Sequence, residues 1–309
     1  MILAPQSRED LVLQLRHSSE AAAKVESVRL SSLNALIEHK PEDMTATTEA
    51  GMTLAAFQAQ LGKSGQWLPI DPPNSDSLTI SDLLAHNLSG PRRFGYGSIR
   101  DYLIGIQVAM ADGQLIKAGG KVVKNVAGYD LCKLFIGARH SLGIIVEATF
   151  KLRPLPEKEV IIEQPCGSLA ELDSIARSIR ESPVQPVISD SHNSNSRITL
   201  VLGFDGARED VEYQIETIRP MGTWIPSSIA YENEFWRDPS AIQKLSVLPS
   251  ETLASLQKLN GLPFVARLGN GVVYYKGPAL EQTTLPNPGL HQRVKDAYDP
   301  KHIFPGNSA

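Results

Sequence analysis

Cysteine is nearly missing from this chain, with only Cys132 and Cys166 among 309 residues. They stand in different segments, and no Cys or His lies near either at metal-ligand spacing. A disulfide framework and a zinc or iron–sulfur centre are therefore not expected. A surplus of one charge is also lacking. Lys and Arg number 30 against 34 Asp and Glu, for a net charge of −4. No overall field draws the chain to nucleic acid or to an anionic membrane surface. No apolar run approaches the ~20 residues that cross a bilayer, so no transmembrane segment is expected. The opening MILAPQSREDLVLQLR has no basic region followed by an apolar block. A secretory leader is not expected, and the cytoplasm is the expected compartment. No GxGxxG opens a helix after a strand, no GxxxxGK[ST] occurs, and no GxSxG is present. These absences argue against a Rossmann dinucleotide site, a P-loop and a serine-hydrolase elbow.

What is present is an ordinary globular composition, 42% hydrophobic and 21% charged, long enough for about two domains. Ser7 caps a predicted helix to Arg16, and Thr53 caps another to about Leu61, with Leu54, Phe57 and Leu61 on one face. Residues 45–50 read as a strand. LPIDPP at 68–73 cannot be helix, because prolines remove backbone donors. A short helix is predicted over Ser81–His86, and 87–97 read as a loop. Asp101–Ala111, the Asp112-Gly113 turn and Gln114–Ala118 read as a hairpin. Arg100 and Asp101 read as a structural pair at its entrance. A helix over 128–136 and a strand over Gly143–Arg153 follow. After the linker at 154–158 the pattern becomes strand–helix–strand twice. Strands are predicted at Val160–Gln164, Val184–Ser189 and Ile198–Phe204, and helices at Ser168–Glu181, Glu209–Ile218 and Glu251–Leu259. A hairpin around Gly269-Asn270 completes the pattern. The absence of regular βα alternation makes the fold class α+β.

The most informative stretch is Gly119–Pro154, GGKVVKNVAGYDLCKLFIGARHSLGIIVEATFKLRP. Glycines at turns permit close backbone approach to a ligand, and Lys121, Lys124 and Lys133 stand among them. That combination suits a large anionic cofactor held mainly by main chain. Arg92 and Arg93, in the glycine-rich loop NLSGPRRFGYG, offer planar forks for phosphate or carboxylate.

These blocks resemble the flavoproteins with a vanillyl-alcohol-oxidase-type (PCMH-type) FAD-binding domain, and within them the FAD-binding E-subunit type of the glycolate-oxidase branch. The likeness is carried by residues 49–73, 87–114, 119–156 (with KNVAGYDL) and 266–275, and by the Lys-x-x-x-Asp-Pro tail at 294–306. It implies an FAD-binding domain over residues 1–155, itself in two parts, and a cap with an antiparallel sheet over residues 156–309. It further implies that Pro69, Asp71 and Pro72, then Asn87, Gly90 and Arg92, then Gly97, Arg100 and Asp101, then Leu142, Gly143, Ile144 and Ile145 line the cofactor. Lys124, Asn125, Tyr129 and Asp130 would lie on the isoalloxazine side. The implied activity is FAD-linked oxidation of a small 2-hydroxy acid. The implied partners are a catalytic FAD subunit and an iron–sulfur subunit, through which the chain would sit peripherally at a membrane. No catalytic base is identified; His140 and Tyr129 are the candidates.

Three departures from the family pattern stand out. No glycine occurs from residue 1 to 50, where the family wraps a glycine loop around the pyrophosphate. The usual Gly-Gly at the next helix start is Ser81-Asp82, and a carboxylate there repels phosphate. The usual GSxGxLG turn reads GARHSLG, with Arg139 and His140 in glycine-permissive positions. Two readings remain open: an FAD-linked oxidoreductase subunit, or a degenerate, flavin-poor structural subunit whose FAD binding is weakened or lost.

Overall fold

Side-chain caps start several of the helices that local sequence marks out. In the computed structural model, which describes residues 1–120, 130–193, 197–238, 242–280 and 287–306, helix α1 spans Arg8–Glu20 and Ser7 Oγ accepts from Asp10 N at 3.1 Å. Helix α2 (Leu54–Gly62) is capped by Thr53, and α3 (Ile80–Ala85) by Thr79. Each cap satisfies an orphan amide of the first turn. Leu11 and Leu15 on α1, and Leu54, Phe57 and Leu61 on α2, are fully buried, as helical spacing requires.

These helices cover a five-stranded sheet. Strands β1 (Leu36–Lys40), β2 (Thr45–Glu49), β3 (Leu103–Ala109), β4 (Leu115–Gly119) and β5 (Ile144–Lys151) lie in the order β1-β2-β5-β3-β4, every pair antiparallel. The central β5 is buried on both faces. Ile145, Ala148 and Phe150 join the core beneath α2 and α3. Ile144 and Val146 join a second core with Leu11 and Leu15 of α1, Leu30, Leu33, Ile303 and Phe304. The expected strand from Asp101 begins only at Leu103, because Ile99–Tyr102 makes a helical turn first. Asp101 Oδ2 accepts from Ser98 N at 2.8 Å and Ser98 Oγ at 2.9 Å. Asp101 is thus a capping residue, and the expected Arg100–Asp101 pair is corrected.

The second sheet is built from β6 (Lys158–Cys166), β7 (Ile188–His192), β8 (Ile198–Gly206), β9 (Ile225–Pro226), β10 (Ile242–Ser246), β11 (Phe264–Arg267) and β12 (Val272–Lys276). Its order is β9-β6-β8-β7-β11-β12-β10, antiparallel throughout. Helices α4 (Leu169–Glu181), α5 (Arg208–Ile218) and α7 (Thr252–Lys258) supply the core on one face. Helix α6 (Ala230–Trp236) packs Tyr231 and Phe235 on the other. Strand β7 starts four residues later than the expected Val184, since Pro186 cannot donate to a ladder, and of the residues just before β7 Val187 N bonds Gly203 O of β8 at 2.8 Å. Helix α6 and strand β10 are not among the sequence expectations, nor is α8 (Pro288–Tyr298).

After α8 the tail returns to the first sheet. Lys295 Nζ donates to Asp299 Oδ2 at 2.6 Å and to Ser141 O at 2.7 Å. Asp299 in turn accepts the amides of Ile303 at 3.0 Å and Phe304 at 2.9 Å. This network explains why a Lys-x-x-x-Asp pair occurs at helical spacing: it seats Ile303 and Phe304 in the core beside Leu30 and Leu33.

Gly51 closes that core from the strand side. A Cβ on it would lie 1.8 Å from Leu30 O, and backbone cannot yield that far. Gly51→Ala is expected to lower unfolding stability by about 3 kcal/mol, read from urea denaturation midpoints; an unchanged midpoint would contradict the packing described.

Candidate functional site

The two sheets meet along a polar seam built by 68–73 and 87–97. LPIDPP runs as extended chain, with Pro69 and Pro72 buried. Gly90 lies so close to it that a Cβ would stand 1.9 Å from Asp71 O. The next donors are then fixed. Arg92 N reaches Asp71 Oδ1 at 3.2 Å, and Arg92 Nη1 reaches Asp71 Oδ2 at 2.8 Å. Arg92 Nη2 bonds Glu159 Oε1 of β6, and the guanidinium lies 5.4 Å over the Trp67 ring. Tyr96 OH donates to Asp205 Oδ1 of β8 at 2.7 Å, and Gly95 N to Val187 O at 3.1 Å. Burial raises the Asp71 carboxyl against the opposing pull of Arg92. Burial also raises Asp205 and the Tyr96 phenol.

The fold thus brings together Pro69, Asp71, Pro72, Gly90 and Arg92, five of the residues expected near a cofactor. Asn87, with φ +50, keeps a buried Oδ1 that has no partner among the described residues. Leu142, Gly143, Ile144 and Ile145 are buried at the start of β5. Gly97 and Asp101 belong to the separate Ser98 cap, and Arg100 lies in the same helical turn. Asp130 is exposed and pairs with Lys133 at 3.2 Å. Lys121, Lys124, Asn125 and Tyr129 lie outside the described residues.

Below the seam, α3 and the turn at 137–143 form a corner. Every first-turn amide of α3 is already donated: Ile80 N to Met52 O at 2.9 Å, Ser81 N to Ala50 O at 2.7 Å and Asp82 N to Thr79 Oγ1 at 3.1 Å. Ser81 Oγ bonds Ile145 O at 3.0 Å. Arg139 and His140 adopt φ of +50 and +59, as expected for residues in glycine-permissive positions. Non-glycine residues hold such angles only when surroundings enforce them. Here Gly137 N and Arg139 N donate to Leu84 O and Ala85 O at the end of α3, at 2.9 and 2.8 Å. His140 Nε2 lies 3.2 Å from Asp82 Oδ1, and that partnership holds the Asp82 carboxyl below its ordinary range.

A third group escaped sequence reading. Asp190 of β7 and Arg267 of β11 are direct register partners. Arg267 Nη1 bonds Asp190 Oδ2, Arg267 Nη2 bonds Glu232 Oε2 at 2.7 Å, and Tyr231 OH donates to Asp190 Oδ2 at 2.7 Å. His192 stacks on Tyr231 with ring centroids 4.7 Å apart. The available signal was a charge at an inward strand position: Asp190 within ISDSH, and Arg267 closing the apolar run FVAR. On the neighbouring edge Lys244 is exposed, and partial desolvation with the positive charges of Arg93 and Arg139 lowers its pKa.

Residues 10–119 match the FAD binding domain family. The chain is 33% identical over 202 residues to glycolate oxidase subunit GlcD of Bacillus subtilis, covering 60% of this chain and 43% of that protein. It is 33% identical over 143 residues to glycolate oxidase subunit GlcE of Escherichia coli, covering 44% of this chain and 41% of that protein. The alignments therefore span less than half the length of these curated relatives. Among solved structures, alkyldihydroxyacetonephosphate synthase superposes with a TM-score of 0.74 at 16% identity, covering 100% of this chain and 77% of that one. The fold is of the PCMH FAD-binding type, α+β as the sequence indicates. No helix among the described residues is long and apolar enough to cross a membrane.

Set against an extended FAD, the corner between α3 and the 137–143 turn does not fit a pyrophosphate. The first-turn amides of α3 and those of Gly137, Arg139 and Ser141 are spent on protein acceptors, and a carboxylate stands at the helix start, where an anion would gain from the backbone dipoles. The turn before β1 offers no substitute, because Leu30 and Leu33 there are 5% and 3% exposed and face the core.

Burial pushes the Asp190 carboxyl up to about 7, with the Glu232 charge adding to it and Arg267 and Tyr231 opposing. This value lies above the ordinary 3.8, so the folded chain holds this proton more tightly than the unfolded one. The resulting stabilisation is complete below about pH 4 and is lost as pH rises to about 7. Asp190→Asn is insensitive to that change. The melting temperature of the wild type minus that of Asp190→Asn is expected to fall across this window and then level. A difference independent of pH would refute the assignment.

Proposed function

We propose that the chain is a subunit of an FAD-linked oxidoreductase acting on a small 2-hydroxy acid such as glycolate. The observation that carries this reading is the equal, 33% likeness to two glycolate oxidase subunits, joined to an FAD binding domain match over 10–119. In this reading residues 1–155 form the FAD-binding part and 156–309 the cap, with Arg92 holding the two in register. The partners are a catalytic FAD subunit and an iron–sulfur subunit, with no role for nucleic acid.

The chain's own residues support an anionic substrate or partner at the seam. Arg92 and Arg267 are each committed to two carboxylates. Lys244 on β10 is exposed and lies 6.0 Å over the Tyr274 ring, and the positive charges of Arg93 and Arg139 disfavour its own, a repulsion that an arriving carboxylate relieves. The assignment predicts that the chain, isolated from its source cells with the proteins that accompany it, supports glycolate- or D-lactate-dependent reduction of a dye acceptor. Lys244→Met in that assembly is expected to raise KM about tenfold, the size of one charge-assisted contact. An assembly that reduces no dye with any 2-hydroxy acid would overturn the reading.

A further inference from the structure

Asp82 and His140 are 58 residues apart in sequence and meet at 3.2 Å in the fold. Each is anomalous alone. Asp82 is an acid at the start of a helix whose early amides are all engaged, and it also accepts from Thr79 Oγ1 at 2.7 Å. His140 is a branched ring held at φ +59, a conformation that glycine takes without strain. Together they form a complementary pair. The carboxylate supplies the negative charge that a helix start favours, and the imidazole closes over it from the facing turn.

The surroundings are largely self-sufficient, although His140 Nδ1 is buried without a partner among the described residues. The amides of Gly137 and Arg139 close onto the α3 carbonyls, and Ser141 N and Oγ both return to Ala138 O, at 2.9 and 2.6 Å. Ser141 O is taken by Lys295 Nζ. On the far side, Gly51 is pressed against Leu30 and Leu33 carbonyls, and the leucine side chains are buried with Phe304. A dinucleotide's phosphates entering here would have to displace a carboxylate from a satisfied position, and would recover none of these amides without breaking protein hydrogen bonds.

We propose that the Asp82–His140 pair occupies the place of a dinucleotide pyrophosphate, so that this chain alone does not retain stoichiometric FAD and its role in flavin chemistry is exercised through a partner chain. The inference rests on the reading of the chain as a subunit of a flavin enzyme, but it is tested separately from it.

The experiment uses the full chain expressed alone. Flavin released on denaturation is quantified against protein, and melting temperature is followed as FAD is added. The wild type is expected to be colourless and to show no melting shift. A site filled at a hundredfold excess over Kd would instead show a rise of about 5 °C or more. Asp82→Gly with His140→Gly is expected to gain an FAD-dependent rise. His140→Gly alone removes the pair while relieving the left-handed backbone, and it provides the same readout if the double variant does not fold. Wild-type protein carrying FAD at one per chain overturns the proposal. Folded variants that gain no FAD response overturn the assignment to this pair. Neither result touches the oxidoreductase reading, which stands or falls on acid-dependent dye reduction by the assembly.

Discussion

Arg92 joins the halves of this molecule, and most of what lies between the two sheets is placed by its bonds. Arg92 is 8% exposed, and its guanidinium is held by Asp71 from the first part and Glu159 from the second. Removing such a cation from water is costly, and only a nearly complete set of partners offsets that cost. The requirement propagates outward. Asp71 must be presented by an extended, proline-fixed segment, and Gly90 must lack a Cβ for the two segments to touch. Once Arg92 is docked, the following residues can reach only β8 and the approach to β7, which they do through Tyr96 and Gly95. The seam is therefore one cooperative unit, in which each contact presupposes the salt bridges at its centre.

Much of this fold was legible wherever a local rule decides the outcome. Ser7, Thr53 and Ser168 cap helices because a hydroxyl before an apolar periodic run has one economical use. The Asp112-Gly113 turn gives the β3–β4 hairpin with Gly113 at φ +76. What failed was decided at long range. Strand β7 carries Asp190, Ser191 and His192 in buried positions, so hydropathy draws the eye to the apolar residues just before it, where Pro183 and Pro186 interrupt a ladder. Helix α6 has a mixed sequence whose helicity is justified by packing Tyr231, Glu232 and Phe235 over the sheet. Propensity is a weak guide to such segments.

The candidate site shows the same division. The grouping of Asp71, Gly90 and Arg92 is consistent with the blocks that carry the family likeness. In the Asp190–Arg267–Glu232 network strand register pairs Asp190 with Arg267 and helix α6 brings in Glu232, which no spacing within a single segment encodes. Asp82 and His140 were each noticeable as departures, but nothing in sequence says that they answer one another. The fold turns two separate anomalies into one charge pair, and that changes their meaning: a lone acid in a phosphate corner is a defect, whereas an acid with a fixed partner is part of a stable structure.

That distinction bears on where the stability of this domain comes from. A cofactor domain with a glycine loop leaves a corner that is completed by ligand binding, and its folded state gains free energy from the bound molecule. Here the corresponding turn contributes Leu30 and Leu33 to the core, each burial worth about 1.5–3 kcal/mol. The amides of Gly137, Arg139 and Ser141 are satisfied by the chain itself, and the tail anchors Phe304 through Lys295 and Asp299. The carboxylate at the helix start and the first-turn amides of α3 have internal partners, while His140 Nδ1 is buried without one among the described residues. The corner's contribution to folding is therefore drawn from the polypeptide, while the buried acids and cations at the seam keep the chemical character of the surface between the sheets.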